Sequence, residues 1–527
     1  MSEAALPLPA KTAYALAVAS GTLIFLGFAG FDIWPLAFVA WAPLLVAVRG
    51  QRPALALKLG LLTGLVLDVG GFYWLQTMLV TFSGFPPAVC AVFTGILCAY
   101  QGGRAGLFAW LLARAEARRW PFGLLVFLAF AASETVYPVL FPWYLGGSVH
   151  MLPTMLQVAE LGGPILVSLT VLAPSVAIAE AVSAMRAKRT MSRATIALSL
   201  GLTGASLLYG LVRVPQVRAT MAEAEPFKLG VVQGNLGLVQ KREDPAEGLR
   251  RHRRLTAELV REGADLVVWS ESSITFPMPV EAAPRILRER MVGGLGVPVI
   301  AGAVLYERAK SEHERERWYN VAVSTDSDGA MTGRFDKTFL LAFGEYLPFG
   351  ETFPQLYEIS PNTGHFTPGT SLAPLRVPVK GKERSLTALV CYEDILPSFA
   401  RDAVKEGVPE LIVNLTNDAW FGPTTEPWEH LALAKLRAVE HRRYLVRATN
   451  SGVSAIVDAT GAVVGHTETF VPAKLLADAR FMTAHTPFEV LGMTPWNILA
   501  LVTLALAFVA RREREGADAK AAEEDAA

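Results

Sequence analysis

The sequence predicts a polytopic α-helical membrane domain of about eight spans joined to an α/β domain. Three observations lead there. Of 527 residues, 52% are hydrophobic and only 18% are charged, against about 25% charged in an ordinary soluble domain. The apolar residues are unevenly spread: long runs fill the chain up to Val214, and one more begins at Leu491. Between them, from Pro226 to Pro487, short Val-, Ile- and Leu-rich runs alternate with amphipathic ones, as buried strands and covering helices do.

A spanning helix needs about 20 mostly apolar residues, and about seven such runs precede the α/β part. They centre near Leu23, Val39, Leu65, Ile96, Phe127, Thr170 and Leu202, and a last one covers 491–510. Gln101, Gly102, Gly103 and Arg104 interrupt the fourth. Successive runs of this kind are not a cleaved signal peptide. Basic residues mark cytoplasmic loops. They cluster at Arg49, Arg52 and Lys58, at Arg114, Arg118 and Arg119, and at Arg186, Lys188, Arg189 and Arg193. The intervening loops, such as Ser83-Gly84-Phe85-Pro86, lack them. The alternation puts the N-terminus inside, the α/β domain outside and the tail from Arg511 inside again. Arg213 and Arg218 run against this bias. The expected division is a membrane domain over 1–218, an extracytoplasmic α/β domain over 226–488, a final span over 489–510 and a disordered, Ala- and Glu-rich tail over 511–527. Asp68 and Glu134 fall inside apolar runs, where a carboxylate is functional or paired between helices.

Composition also excludes function classes. Lys+Arg and Asp+Glu are both 48, so no basic excess points to nucleic acid. Cys90, Cys98 and Cys391 are too few for a disulfide framework or a four-ligand zinc site. Gly293-Gly294-Leu295-Gly296 lacks the Lys-Ser/Thr of a phosphate loop. His430 and His441 stand eleven residues apart, which is not the spacing of a helical metal pair, and both read as ordinary helix residues. No metal and no cofactor are expected.

Within the α/β domain the strand candidates are Leu229–Gln233, Leu266–Trp269, Val299–Val304, Tyr319–Ser324, Leu386–Val390 and Leu411–Leu415. Pro245–Arg261 and His430–Val446 read as helices. Asp326-Ser-Asp-Gly329 and Asp458-Ala-Thr-Gly461 read as hairpin turns. Three reactive groups sit just past strands: Glu271 after Leu-Val-Val-Trp-Ser, Lys337 after Gly-Arg-Phe-Asp, and Cys391 after Thr-Ala-Leu-Val. Sites in α/β folds collect at such ends. Taken alone, Cys391 reads as an inert thiol, Lys337 as a solvated charge and Glu271 as a helix cap. Together they suit nucleophilic acyl chemistry: a thiol to attack, a carboxylate to take its proton, and an ammonium to lower the thiol pKa and face the oxyanion. The backbone N–H of Tyr392 is a candidate second oxyanion donor.

These residues resemble the Glu–Lys–Cys triad of the carbon–nitrogen hydrolase (nitrilase) superfamily, in Trp-Ser-Glu271, Phe-Asp-Lys337 and Val-Cys391-Tyr-Glu-Asp. Gly230-Val-Val-Gln-Gly-Asn235, Asn414-Leu-Thr-Asn-Asp-Ala-Trp-Phe-Gly422, Arg437-Ala-Val-Glu440 and Thr449-Asn-Ser-Gly452 agree with it. With spans before and after, the whole chain except its tail is similar to the apolipoprotein N-acyltransferase family. The resemblance implies an αββα sandwich and a multi-pass enzyme of the bacterial inner membrane with its catalytic domain on the periplasmic side. It implies acyl transfer from a phospholipid, typically phosphatidylethanolamine, to the α-amino group of a diacylated apolipoprotein, by a monomer. Cys391 would carry the acyl group, Glu271 would act as base and Lys337 as oxyanion stabiliser. Glu345 would be a second acid near the lysine, and Tyr392 and Glu393 would shape the pocket. One departure is Arg242, where the family often has Trp.

Two apolar segments suit a lipid substrate without the family: Phe339 to Phe349, and Trp420-Phe421-Gly422 with Trp428. Such loops either dip into a membrane or pack inside the domain. Two other functions compete. A membrane-tethered amidase or nitrilase would pass through the same thioester to water. A scaffold or transporter with a dead catalytic domain is opposed by the intact Glu271, Lys337 and Cys391 set.

Overall fold

The computed structural model describes residues 7–83, 85–116, 120–237, 244–309, 311, 314–342, 344–359 and 363–508. Arg242, Gly84 and the tail 511–527 lie outside the described residues. The described residues form two compact units, one within 1–73, 88–212 and 491–527, the other within 74–87 and 213–490.

The first unit is helical. Pro53–Gly71, Ala159–Arg186 and Arg193–Glu223, the last with its residues from Arg213 in the second unit, are long and apolar enough to cross a membrane, and Ala10–Leu26, Trp34–Val48, Phe122–Val136 and Thr494–Phe508 are shorter apolar helical stretches. The interrupted fourth run is a continuous helix, Pro87–Ala115. The second run differs from expectation. It breaks into a 3-10 turn, Trp34–Phe38, and a short helix, Ala42–Val48, each with a proline in its first turn that cannot donate to the residues before it. Helices Pro53–Gly71 and Pro87–Ala115 meet through glycines. A Cβ on Gly64 would stand 2.1 Å from the Gly102 carbonyl oxygen, and one on Gly60 would stand 2.3 Å from that of Ala105. Gly60-x-x-x-Gly64 facing Gly102-x-x-x-Gly106 is the small-residue spacing that lets helices touch in lipid, where apolar packing has no solvent to drive it. Asp68, Gln101, Arg104 and Glu134 line a small cavity in this unit, and Arg104 donates to the Trp143 carbonyl at 2.8 Å.

The second unit is a four-layer sandwich. Its first sheet has the order β13-β1-β2-β4-β5-β6, with β3 also on β4. The strands are β1 Pro226–Gln233, β2 Leu266–Trp269, β3 Ile274–Pro279, β4 Val299–Glu307, β5 Arg317–Thr325, β6 Met331–Asp336 and β13 Ala473–Arg480. The second sheet has the order β12-β11-β10-β9-β8-β7. Its strands are β7 Leu375–Val379, β8 Lys382–Val390, β9 Leu411–Thr416, β10 Leu445–Thr449, β11 Ala455–Val457 and β12 Val463–His466. Read from β13 in the first sheet and from β7 in the second, the pairings run antiparallel, parallel, parallel, antiparallel, antiparallel. The two sheets are thus built alike, although the sequence shows no repeat.

The period-two pleat sets the layers. Leu266 and Val268 of β2, Leu386, Ala388 and Val390 of β8, and Leu411, Val413 and Leu415 of β9 meet in the core between the sheets. The alternate residues Val267 and Trp269 pack outward on Leu255, Leu259 and Leu287. Leu389, Ile412 and Leu445 pack outward on Ala400, Leu431 and Ala434 of helices Pro397–Gly407 and Glu426–His441. All the strand candidates are strands, and the helix Pro245–Arg261 has the expected limits. The expected helix His430–Val446 does not. The helix is Glu426–His441, ended by Arg442 in the left-handed region at φ 51°, and Leu445–Thr449 is the buried strand β10. A helix Trp74–Ser83 in this unit was not expected from the sequence.

The pleat yields a testable expectation. Trp269 is fully buried and donates to Thr256 Oγ1 at 2.8 Å. Trp269→Ala should cost about 3–5 kcal/mol, visible as a lowered denaturation midpoint of the detergent-solubilised protein.

Candidate active site

Three strand ends converge. Glu271 lies two residues past β2, and the chain there must bend sharply, with Ser272 at φ 50°. The bend presses on β4: a Cβ on Gly302 would lie 2.6 Å from Glu271 Cα, Ser270 O and Ser272 N. Only glycine lets the two approach. Lys337 follows β6, with its N–H on the Asn320 carbonyl at 2.8 Å. Cys391 follows β8 and opens a 3-10 turn, Cys391–Ile395. Its φ is 53°, a left-handed conformation that costs a non-glycine residue and holds the thiol at the apex of the bend.

Lys337 is 2% exposed. Its Nζ lies 2.7 Å from Glu345 Oε2 and 3.7 Å from Glu271 Oε1. Asn320, on β5, donates its amide to Glu271 Oε1 at 2.7 Å and to Glu345 Oε1 at 2.8 Å. One side chain therefore spaces both carboxylates around one ammonium. Burial disfavours the charged lysine, but Glu345, Glu271 and the Cys391 sulfur outweigh it and hold its pKa above the usual lysine value. The two carboxylates thus favour Lys337 as an ammonium.

The thiol behaves otherwise than expected. Burial and Glu271 push the Cys391 pKa up to about 12, against the downward pull of Lys337 and His430. The lysine alone was expected to lower it. The difference is charge balance: Lys337 already faces two carboxylates, so a resting thiolate would be a third anion on one cation. The Glu271 carboxylate beside Lys337 is the candidate base for the thiol proton.

The remaining expected residues surround this centre. Glu393 is fully buried; it accepts from Val390 N at 2.7 Å, Thr338 N at 2.7 Å and Phe339 N at 2.8 Å. It thereby ties the segment after Lys337 to the bend at Cys391. Tyr392 stacks on Phe339 at 5.8 Å between ring centroids. Phe421 is buried and meets Trp74 edge to face at 5.1 Å, whereas Trp420 is half-buried. Phe339, Tyr346, Phe349 and Phe353 are exposed. Of the two apolar segments, the first is mostly half-buried with Phe339, Tyr346 and Phe349 exposed, and Phe421 of the second packs inside.

Behind Cys391 lies a second polar group that the sequence reading missed. His430 is buried, not an ordinary helix residue: its Nε2 meets Asp394 Oδ1 at 2.8 Å. Arg447, on β10, donates to Asp394 Oδ2 and Asn414 Oδ1, both at 2.9 Å, and to Asp418 Oδ2 at 3.1 Å. Asp418, Glu426 and His430 bring ligand atoms within 4.8 Å of one another, a spacing that invites a metal ion. The donors are already committed. Asp418 is held by Arg447, and His430, with Nε2 on Asp394, already turns its Nδ1 toward Asp418 at 3.5 Å and Glu426 at 3.4 Å. Burial and Arg447 disfavour a charged His430, yet Asp394 and Asp418 raise its pKa well above the usual value. Burial pushes Glu426 up to about 7. Imidazolium and guanidinium thus balance two carboxylates, and the set does not fit a further cation. Asn320, Asn414 and Arg447 had one legible signal: each is a polar residue inside an otherwise apolar strand, and such a residue must be paired when buried.

The comparisons bear on both parts of the chain. Residues 228–477 match the family model for carbon-nitrogen hydrolase, and residues 20–177 match that for the apolipoprotein N-acyltransferase N-terminal domain. An apolipoprotein N-acyltransferase of Geobacter metallireducens is 30% identical over 95% of this chain and 96% of its own. One of Brucella melitensis is 32% identical over 91% and 92%. Among solved structures, an amidase from the nitrilase superfamily of Nesterenkonia AN1 is 20% identical, with a TM-score of 0.35, over 48% of this chain and 90% of that one.

Two outcomes follow from the geometry. Gly302→Ala should displace Glu271 and lower the turnover number by about 10²-fold while the protein stays folded, measured by activity beside thermal melting. Because the Cys391 pKa lies near 12, the thiol is neutral across the working range. Its alkylation rate should rise with pH through about 9.5 without a plateau near the ordinary thiol pKa of about 8.5.

Proposed function

The chain belongs to the apolipoprotein N-acyltransferase family, and on that premise we propose that it N-acylates apolipoproteins through a thioester on Cys391. The acyl donor is a membrane phospholipid, phosphatidylethanolamine being the expected one. The acceptor is the free α-amino group of a diacylglyceryl-cysteine. The observation that carries this reading is the buried Lys337 ammonium between Glu271 and Glu345, beside a thiol on a left-handed bend.

In the proposed reaction the Cys391 sulfur attacks the donor's ester carbonyl as Glu271 takes the thiol proton. Lys337 faces the developing oxyanion, and Glu345 keeps that lysine charged and in place. The tetrahedral adduct collapses, the lysophospholipid oxygen leaves with the proton from Glu271, and the thioester remains. The acceptor amine then attacks, Glu271 takes its proton, and the thiol is restored as the amide forms. Donor and acceptor use one site in turn, which predicts ping-pong kinetics. Tyr392 and Glu393 shape the pocket, and Trp420 and Phe421 border it. The exposed Phe339, Tyr346, Phe349 and Phe353 supply an aromatic edge suited to a lipid surface.

The same reading places about eight spans in the bacterial inner membrane, with 1–218 and 489–510 in the bilayer, 226–488 on the periplasmic side and both termini in the cytoplasm. The basic loops support a common side. Arg49 and Arg189 share Glu180, at 2.6 and 2.7 Å. Gly50 N donates to Glu116 Oε2 at 2.9 Å. Arg114 Nε donates to the Ala507 carbonyl at 3.2 Å, which brings the end of the last helix to the same loops. The active unit is a monomer.

Incubation with phospholipid and no acceptor should leave a hydroxylamine-labile acyl adduct on the Cys391 peptide, seen by mass spectrometry. A diacylated lipopeptide should discharge it as N-acyl product. Discharge to water alone would make the protein a tethered hydrolase, and full activity in Cys391→Ala would end the proposal. Lys337→Ala should cost about 2.7–4 kcal/mol of transition-state stabilisation; a tenfold or smaller fall in turnover would remove Lys337 from the oxyanion role.

A further inference from the structure

The bend at Cys391 is unfavourable for the residue that occupies it, so something must hold it. The sheet register shows what does. β8 and β9 pair Leu389 with Asn414, and β9 and β10 pair Asn414 with Arg447. The three stand in one row across the sheet, on the face covered by helix Glu426–His441. Asn414 donates its amide to the carbonyls of Leu389 at 3.2 Å and Cys391 at 3.1 Å. Its own oxygen accepts from Arg447 Nη1 at 2.9 Å. The same nitrogen reaches Asp394 Oδ2 at 2.9 Å, at the far end of the turn that Cys391 opens.

We propose that Arg447 is a positioning residue for the nucleophile: one buried guanidinium holds the start of the bend through Asn414 and its end through Asp394. Asp418 and His430 complete the clamp. Asp418 takes the second guanidinium nitrogen at 3.1 Å, and His430 holds the other oxygen of Asp394 at 2.8 Å. Arg447 is fully buried and does not meet substrate; its effect reaches the chemistry through the backbone of Cys391. A planar guanidinium suits this task because its nitrogens address three acceptors in fixed directions, which a lysine ammonium cannot reproduce.

The inference rests on the reading of Cys391 as nucleophile, and the test separates the two. Arg447→Lys and Asn414→Ala are compared with the full-length protein in detergent. Four quantities are measured: the iodoacetamide alkylation rate of Cys391 by mass spectrometry, kcat and KM for acyl transfer, and the melting temperature. Alkylation and kcat should fall together, by about 10²-fold for Arg447→Lys and about tenfold for Asn414→Ala, with KM for phospholipid within about twofold. Arg447→Lys leaves two buried carboxylates poorly paired and can fail to fold; Asn414→Ala then decides, since it removes the Asn414 arm of the clamp and leaves Arg447 paired with Asp394 and Asp418. Wild-type alkylation and kcat in a folded Asn414→Ala protein, or losses that merely track the folded fraction, would overturn the proposal. Full activity in Cys391→Ala would instead overturn the reading beneath it.

Discussion

The site is organised around one buried cation. Lys337 is almost without solvent, and an ammonium in that position is unaffordable unless anions meet it. Glu345 at 2.7 Å and Glu271 at 3.7 Å do so. Asn320 fixes the spacing of the two carboxylates, and Gly302 makes room for the bend that delivers Glu271. With two carboxylates on one ammonium, the thiol beside them stays protonated. In the proposed mechanism this couples ionisation of sulfur to bond formation, so the nucleophile is not left as a reactive thiolate between turnovers.

The scaffold explains why these groups meet. Face-to-face stacking of two sheets puts Glu271, Lys337 and Cys391, separated by more than a hundred residues from first to last, at converging strand ends. The sheets share a pairing order without sharing sequence, which follows from the same physical demand on each. A parallel centre needs helices on its outer face, and the antiparallel strands flank it. The polar cluster of Arg447, Asp394, Asp418 and His430 fills the space under one such helix, where its charges balance internally.

The membrane unit obeys a different solvent. Its helices cannot gain from burying apolar surface, since lipid is equally apolar, and close glycine contacts at Gly60, Gly64 and Gly102 take that role. Charges within it are few and gathered around a small cavity or at the loop ends. Net neutrality of the chain thus conceals two separate arrangements of charge, one sparse and one dense.

The sequence by itself determined the division into apolar runs and an alternating α/β segment. It also determined nearly every central strand, because periodicity and β-branched composition are local properties. Glu271, Lys337 and Cys391 were legible because each stands at a strand end in a recognisable motif. Tertiary structure alone decided three things. It raised the thiol pKa, since that depends on how many anions share Lys337. It broke the run near Val39 and ended the helix at His441, where a proline turn and a left-handed Arg442 overrode an apolar pattern that continued. It gave Asn320, Asn414, His430 and Arg447 their partners. What each of them holds is set by register and by layers stacked from distant parts of the chain.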